Sequence, residues 1–598
     1  MTLSCSVLVR LVRLRLCFLL LLSRPSLLPS LLLSLTTTAR TVLFSLVFLP
    51  LVTDPHASLS SVFALTAAIT EFAATRRLDY ATCLVAPPTS PPVIGGESAL
   101  GCDALEDRQF ELEFLAAASP HLYAMLLAPE GDPDALDIPT PCTYAEVVPG
   151  PWASQWRAAM DSEMASYRST DTYVDQVPPD GANVSDGMWI FKVKRPPGSP
   201  PVFKACNLAR GFSQREGVDF YQTFAPTPKM TTLRMLLHVA ALRDYELQSL
   251  DFSTAFLQGS LHEEVWLRRP SAFTGTFPPG TQWRLRRPVY SLRQVPREWH
   301  DTLRSTLSDL GFQPSSAVPS LFVRRGSTPF FVLVYIDDLV FATATKVALA
   351  DVKSELQKWH TCTNLGELRH HLGLQITRDR AARTITLSQS HMVQQVLQWF
   401  ELQHSRIQRT PLAVDHRLTG PFPDEPFEPS GPYAELVGCL MYRMTCTCPD
   451  LAFPLSILAH FVAPGRHHPV HWTAAVRVAK YLATTSGVGL VLGGSQPVVL
   501  TGHCDSSYAD DAETHMSTQG YCFTLGSGAV SWRSTRSSSV LTSTAEAEIY
   551  AGAMAAQELR WLTFLLTDLG EWPSFAPTLL LTTRRQFSYF GSLNWRAE

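Results

Sequence analysis

Little in this chain points to an oxidised or membrane-spanning protein. Its twelve cysteines are scattered over 598 residues without the clustered spacing of a disulfide framework, which fits a reducing compartment. Cys446-Thr-Cys448 has no second Cys or His pair at zinc spacing nearby. His467, His468 and His471 lie in a Pro/Gly-rich stretch without a carboxylate or thiol companion. Neither group has the donor set of a zinc site. Long apolar runs are also missing. "VLVRLVRLRLCFLLLLSRPSLLPSLLLSL" is broken by Arg10, Arg13, Arg15 and Arg24 and by two prolines, and "TVLFSLVFLPLV" is only twelve residues long. Both fall short of the about 18 clean apolar residues that a spanning helix needs, and no small-residue cleavage site clearly follows the Leu run. No internal repeat is visible.

A net positive charge is missing as well. The formal net charge of −4 is no footprint of a nucleic-acid binder, but the charge is unevenly spread. Between Glu97 and Asp137 there are ten acidic residues and one basic, whereas between Asp186 and Glu298 there are 16 Lys+Arg against 9 Asp+Glu. A basic window of that kind suits a phosphate-backbone groove or an ordinary solvated surface.

The length allows about three domains, each able to bury a core. Residues 53–150 carry Pro/Gly clusters ("APPTSPPVIGG", "APEGDPDALDIPTP") and read as a linker. From Trp152 the texture changes to helical spacing in "WASQWRAAMDSEMASYRST". "GMWIFKVKR" and "PVFKACNLA", joined by a Pro-Gly turn, predict a hairpin. "TTLRMLLHVAALRD", "KVALADVKSELQKWH" and "SHMVQQVLQWF" predict helices, and "TITLSQ" a strand. This irregular alternation predicts an α+β fold.

What is present, and unusual, is "FFVLVYIDDLVFATA" at 330–344. It sets two adjacent carboxylates, Asp337 and Asp338, between two apolar β-favouring runs. Like charges so placed cost free energy unless something positive lies between them. A solvated hairpin turn is one explanation and a divalent metal the other. A second carboxylate, Asp251, ends the alternating run Leu247-Gln248-Ser249-Leu250-Asp251 and shares a strand face with Leu247 and Ser249. Two strands delivering carboxylates to one place can hold two divalent cations about 3.5–4 Å apart, which suits an in-line phosphoryl displacement. Mg²⁺ is the natural ion, because it takes few carboxylates and completes its shell with water and phosphate oxygens. Phe256, in "DFSTAF", is either a core aromatic or a ring that excludes a 2′-hydroxyl and so favours dNTPs.

Read in order, "FKACNLARGFSQREGVDFYQTFAPTPKMTTLR", "LQSLDFSTAFLQGSLHEEVWLRRP", "VYSLRQVPREW", "VYIDDLVF", "LGELRHHLGLQI", "YAELVGCLMY" and "TCPDLAF" closely resemble the reverse transcriptase of copia-type retrotransposon Pol polyproteins. "LTGHCDSSYADD" and "VSWRSTRSSSVLTSTAEAEIYAGAMAAQELRWLTFLL" resemble the ribonuclease H that trails it. The resemblance implies a right-hand polymerase with palm, fingers and thumb, followed by a truncated ribonuclease H-like α/β domain. It implies fingers and palm over 151–395, thumb or connection over 396–495 and a partial ribonuclease H over 496–570. A Leu-rich segment 1–52, the linker 53–150 and an aberrant tail 571–598 flank them.

The implied cofactor is Mg²⁺, two ions per active site, with Mn²⁺ as the alternative ion. The implied substrates are dNTPs and an RNA or DNA template-primer. The expected setting is intracellular, cytoplasmic or nuclear, with a membrane anchor on the N-terminal Leu run as the lesser alternative. No specific protein partner follows. The family's metal-binding aspartates fall on Asp251, Asp337 and Asp338. Lys204 lies in the fingers hairpin that meets the triphosphate, and Gln294 matches a template-contacting position. In the trailing segment Asp505 ends a strand, and the following helix offers Glu546 and Glu548. At 100° per residue Glu548 shares a side with Leu559, Leu562 and Leu566, whereas Glu546 shares one with Gln557 and Arg560. Glu548 is thus the expected partner of Asp505 on a metal.

Several positions depart from the family. Cys206 stands where an arginine grips the triphosphate, Ser291 where glycine is usual, Val318 where aspartate is common, and Cys448 where the family has arginine. After Asp568 there is no aspartate at all, although the family supplies another ribonuclease H ligand there. The codons GAC-AAC-AAG, for Asp-Asn-Lys, shifted by one base read Thr-Thr-Arg, as at Thr582-Thr583-Arg584. The tail is therefore read as out of frame, and the Leu-rich start as a misread Ser/Pro-rich linker. The expected function is RNA-directed DNA polymerisation with a defective ribonuclease H; the alternative is an inactive relic that at most binds nucleic acid.

Overall fold

A computed structural model describes residues 138–581, apart from 139–140, 142, 148–149, 151, 195–199, 253–254, 271–272, 274–276, 327, 414–417, 419–430, 464, 496 and 572–575. The Leu-rich segment 1–52, nearly all of the linker 53–150 and Thr582-Thr583-Arg584 lie outside the described residues. What is described falls almost wholly in one compact unit, Cys102–Leu579.

The fold is α+β, with almost wholly antiparallel sheets and helices packed on them rather than a doubly wound parallel sheet; Val184–Ser185 and Trp266–Leu267 form a short parallel pair. At its centre is a six-stranded sheet in the order Cys362–Glu367, Glu246–Phe252, Asp338–Thr343, Phe330–Tyr335, Leu321–Arg324, Gln313–Pro314. The strand Phe330–Tyr335, FFVLVY, is buried on both faces except at Tyr335, as expected for a continuous apolar run in a sheet interior. One face packs on a core of Leu250, Phe252, Leu339, Phe341, Leu349, Val352 and Leu356. The last three come from the helix Lys346–Trp359, whose start is capped by the Thr345 hydroxyl accepting from the Ala348 amide. The other face carries Asp251 and Asp338 and meets the helix Met230–Leu242, in which every residue except Leu242 is buried. An apolar sequence on all sides makes that helix a core element.

The buried polar residues of that helix are Thr231, Thr232, Arg234 and His238, and Arg234 is fully engaged. Its guanidinium donates to the carbonyls of Val530, Thr445 and Cys446 and to the Thr231 hydroxyl, and stacks 3.9 Å from the Trp532 ring. One buried side chain thus ties the central helix to the helix Tyr433–Thr447 and to the strand Gly528–Arg536.

The remaining elements frame this core. The strands Gly187–Lys194 and Val202–Ala209 pair antiparallel, as the hairpin reading predicts. The helix Ala153–Ser169 packs beneath them, with the Tyr167 hydroxyl donating to the Asn207 carbonyl at 2.7 Å. Towards the C-terminus four strands run in the order Gly528–Arg536, Thr518–Leu525, Leu500–Ser507, Thr578–Leu581, covered by the helix Thr544–Asp568. His471 is an internal strut: its Nδ1 accepts from the His468 amide and its ring stacks on Phe461 at 3.8 Å. Among the described residues no helix is long and apolar enough to cross a membrane.

Candidate active site

The three aspartates converge at one end of the central sheet. Asp338 lies directly opposite Asp251 in the antiparallel register, which sets their Cα atoms about 4.5–5.5 Å apart. Asp337 occupies the two-residue turn between Tyr335 and Asp338, and its carbonyl accepts from the Phe252 amide at 2.9 Å. Asp251 and Asp338 are half-buried and Asp337 is exposed. Like charges facing each other across a strand pair destabilise it. These two stay because the backbone fixes the register.

The turn itself is strained. Ile336 has φ 58°, the left-handed region that a β-branched residue avoids, at a cost of about 1–3 kcal/mol. Two hydrogen bonds hold it there: the Phe252 amide to Asp337, and the Trp299 indole to the Ile336 carbonyl at 2.8 Å. Trp299 comes from the helix Val295–Asp309 and packs edge-on against Phe252, ring centroids 5.0 Å apart. The carboxylate tip therefore rests on a buried aromatic pair.

The donors here are all hard oxygens, which fits a Mg²⁺-type ion rather than zinc. The side chains do not close on one point: among the described residues no group of three or more His, Cys, Asp or Glu is arranged to hold a metal.

Phe256 and Tyr290 border the tip. Phe256, on the short turn Ala255–Gln258, is half-buried and stands edge-on to Tyr290, centroids 5.2 Å apart. Burial raises the Tyr290 phenol well above its ordinary value, and the nearby Glu163, Cys206, Asp337 and Asp251 add to the shift. Tyr290 is thus within electrostatic reach of both the hairpin and the aspartates. Neither Tyr290 nor Trp299 was singled out from sequence; each reads as an ordinary aromatic until its partner is known.

Lys204 is exposed on the strand Val202–Ala209, opposite Lys192, and shares its outward face with Cys206. Gln294 lies immediately before the helix Val295–Asp309. It is fully buried, its amide oxygen accepting from Gln214 and its nitrogen donating to the Asp219 carbonyl, both at 3.0 Å. Its carboxamide is engaged inside the fold rather than displayed at the surface. It pins instead the loop 211–224, which displays Phe212, Tyr221 and Phe224 at 74, 66 and 51% exposure.

Ser291, at the glycine position, has φ 68°. The backbone turns tightly there, and a side chain on Gly211 would meet the Ser291 carbonyl at 2.0 Å. We predict that Ser291→Gly raises unfolding stability by about 1 kcal/mol, read by thermal or urea denaturation, because glycine tolerates this φ and serine does not. Val318 is buried in the turn before the strand Leu321–Arg324, and Cys448 is buried beside Arg443.

In the C-terminal sheet the helix Thr544–Asp568 turns Glu548 inward, 6% exposed, beside Ala547, Ala551, Ala555, Leu562 and Leu566; Leu559 is only half-buried. Glu546 instead lies in the exposed first turn, where its amide donates to the capping Ser543 hydroxyl and its carboxylate accepts from the Thr542 amide and hydroxyl. Asp505 is exposed on the strand Leu500–Ser507, adjacent to buried Cys504. Burial, then Glu548 and Asp505, push the Cys504 thiol up to about 12. Strand alternation turns the exposed Asp505 away from the face that carries Cys504.

Residues 171–414 match the family described as reverse transcriptase (RNA-dependent DNA polymerase), a nucleotidyltransferase family. The chain is 33% identical over 460 residues to a retrovirus-related Pol polyprotein from transposon TNT 1-94 of Nicotiana tabacum, covering 75% of this chain and 34% of that relative. It is 34% identical over 434 residues to the Pol polyprotein from transposon RE2 of Arabidopsis thaliana, covering 71% of this chain and 29% of the relative. The chain belongs to the copia-type retrotransposon Pol family. It spans about a third of the length of these relatives. Among solved structures it is similar to a foamy viral protease-reverse transcriptase in complex with RNA/DNA hybrid, at 12% identity and TM-score 0.39, over 83% of this chain and 60% of that one.

Proposed function

We propose that the chain is an RNA-directed DNA polymerase that extends a primer with dNTPs, and that the six-stranded sheet is its palm. The observation that carries this is the register of Asp338 against Asp251 at a strained turn bearing Asp337. Divalent ions held by these carboxylates would supply charge neutralisation for the primer hydroxyl and the leaving pyrophosphate. The residues 151–395 are read as fingers and palm, 396–495 as thumb or connection, and 496–570 as a ribonuclease H-like domain.

The protein's own groups divide the remaining work. Lys204 meets the triphosphate from the hairpin, and Phe256, edge-on to Tyr290, limits the room beside the sugar. The loop 211–224 alternates exposed aromatics with Arg210 and Arg215 and is flanked by Arg293, a pattern suited to stacking unpaired bases and neutralising phosphates. Gln294 acts through this loop. Asp505 and Glu548 are read as the carboxylates of the ribonuclease H-like part.

A second reading, a relic that binds nucleic acid without extending it, is favoured by Cys206 where a guanidinium belongs. Primer extension on a primed RNA template with Mg²⁺ separates the two. The polymerase reading expects incorporation of dNTPs and rejection of NTPs. Salt-sensitive retention of RNA with no incorporation selects the relic.

A further inference from the structure

Behind the candidate site lies a buried lysine that the proposed chemistry does not use. Lys353, on the helix Lys346–Trp359, is 3% exposed. Its ammonium donates to Gln248 Oε1 at 2.7 Å, to the Ser249 carbonyl at 3.1 Å and to Asn364 Oδ1 at 2.6 Å, and lies 5.6 Å from the Phe341 ring centroid. None of these acceptors is a carboxylate. A buried charge is costly without a counter-ion, and an uncharged residue would pack against Phe341 more cheaply.

Its partners explain its place. Gln248 and Ser249 precede Asp251 on one strand, and Asn364 lies on the neighbouring strand Cys362–Glu367, where Thr363 faces Asp251. One pair further on, after Asn364 opposite Leu250, the register shifts in a bulge between Asn364 and Gly366. The Asn364 carboxamide oxygen also accepts from the Gly366 amide at 3.0 Å, so one side chain closes the bulge and receives the lysine. Bulges re-aim neighbouring side chains. Burial raises the Cys362 thiol on that neighbouring strand, with Lys353 opposing the rise and Asp251 adding to it.

We infer that Lys353 is a positioning residue for the candidate metal site: it clamps the bulge beside Asp251 and lends that carboxylate a positive charge from behind the sheet. The inference rests on the metal-binding reading of Asp251 and Asp338.

The test uses the full chain without nucleic acid. Mn²⁺ binding is followed by electron paramagnetic resonance, and amide exchange is followed over residues 247–252 and 362–367, for the wild type, Lys353→Met, Lys353→Arg and Asn364→Ala. Lys353→Met is expected to weaken Mn²⁺ binding about tenfold and to speed exchange across the bulge at least as much. Lys353→Arg should recover most of the Mn²⁺ binding, because it keeps the charge. Asn364→Ala, which leaves the lysine in place, should speed exchange at the bulge and weaken Mn²⁺ by less. If Lys353→Met does not fold, Lys353→Gln takes its place with the same expectation. A folded neutral variant that binds Mn²⁺ like the wild type overturns the inference. Wild-type Mn²⁺ binding that survives Asp338→Asn and Asp251→Asn overturns the underlying reading instead, so the two failures are distinguishable.

Discussion

Asp338→Asn is expected to lower Mg²⁺-dependent incorporation on a primed RNA template by about a thousandfold or more, while the protein stays folded and becomes slightly more stable. The activity loss follows from the proposed ligand role, since several kcal/mol of charge stabilisation corresponds to a factor of this size. The stability gain follows from geometry. Asp338 stands directly across from Asp251, and removing one of two facing like charges should return about 0.2–1 kcal/mol. Strand pairing there uses the backbone, so asparagine leaves the sheet intact. Paired measurements of primer extension and urea unfolding check both signs at once. A variant that loses activity and stability together would indicate a structural role for Asp338. One that retains incorporation would remove the carboxylate from the chemistry.

Cys206→Arg is expected to raise incorporation by about a hundredfold, mainly through a lower KM for dNTP. Cys206 is half-buried on the outward face of its strand, two residues from exposed Lys204, and it bears on Tyr290, which Asp337 and Asp251 also influence. A guanidinium fork placed there would add charge-assisted hydrogen bonds to a triphosphate, each worth a few kcal/mol at best, which a neutral thiol cannot make. The inward face of the same strand, with Ala205, Asn207 and Ala209 buried, is untouched by the change. Steady-state kinetics on both proteins would show the gain. Equal KM values would mean that the triphosphate is held elsewhere, and no extension by either protein would favour the relic.

The parts of the site that were legible in the sequence are those written in local pattern. The apolar runs around Asp337 and Asp338 announce a buried hairpin, and the alternation before Asp251 announces its strand face. The 3.6-residue period likewise separates Glu548 from Glu546. What could not be read depends on contacts between distant segments. The strand Cys362–Glu367 is mostly exposed and has no apolar alternation, yet it flanks Asp251. Gln294 looked available because its partners Gln214 and Asp219 are 80 and 75 residues away. Lys353 reads as one more solvated lysine on an amphipathic helix until Gln248 and Asn364 are placed around it. Ser291 was visible as a departure, but the reason that glycine suits the position is its positive φ, a property of the folded backbone.

The most direct test is iron-mediated backbone cleavage. Fe²⁺ added with ascorbate and peroxide generates hydroxyl radicals only where the ion binds, and the cut sites are mapped by mass spectrometry with and without Mg²⁺. Metal clasped by the three aspartates should cut the chain near residues 250–252 and again near 336–338, with both cuts suppressed by Mg²⁺ and absent in Asp338→Asn. Cleavage confined to other segments, or cuts at these positions that Mg²⁺ and the substitution leave unchanged, would contradict the account.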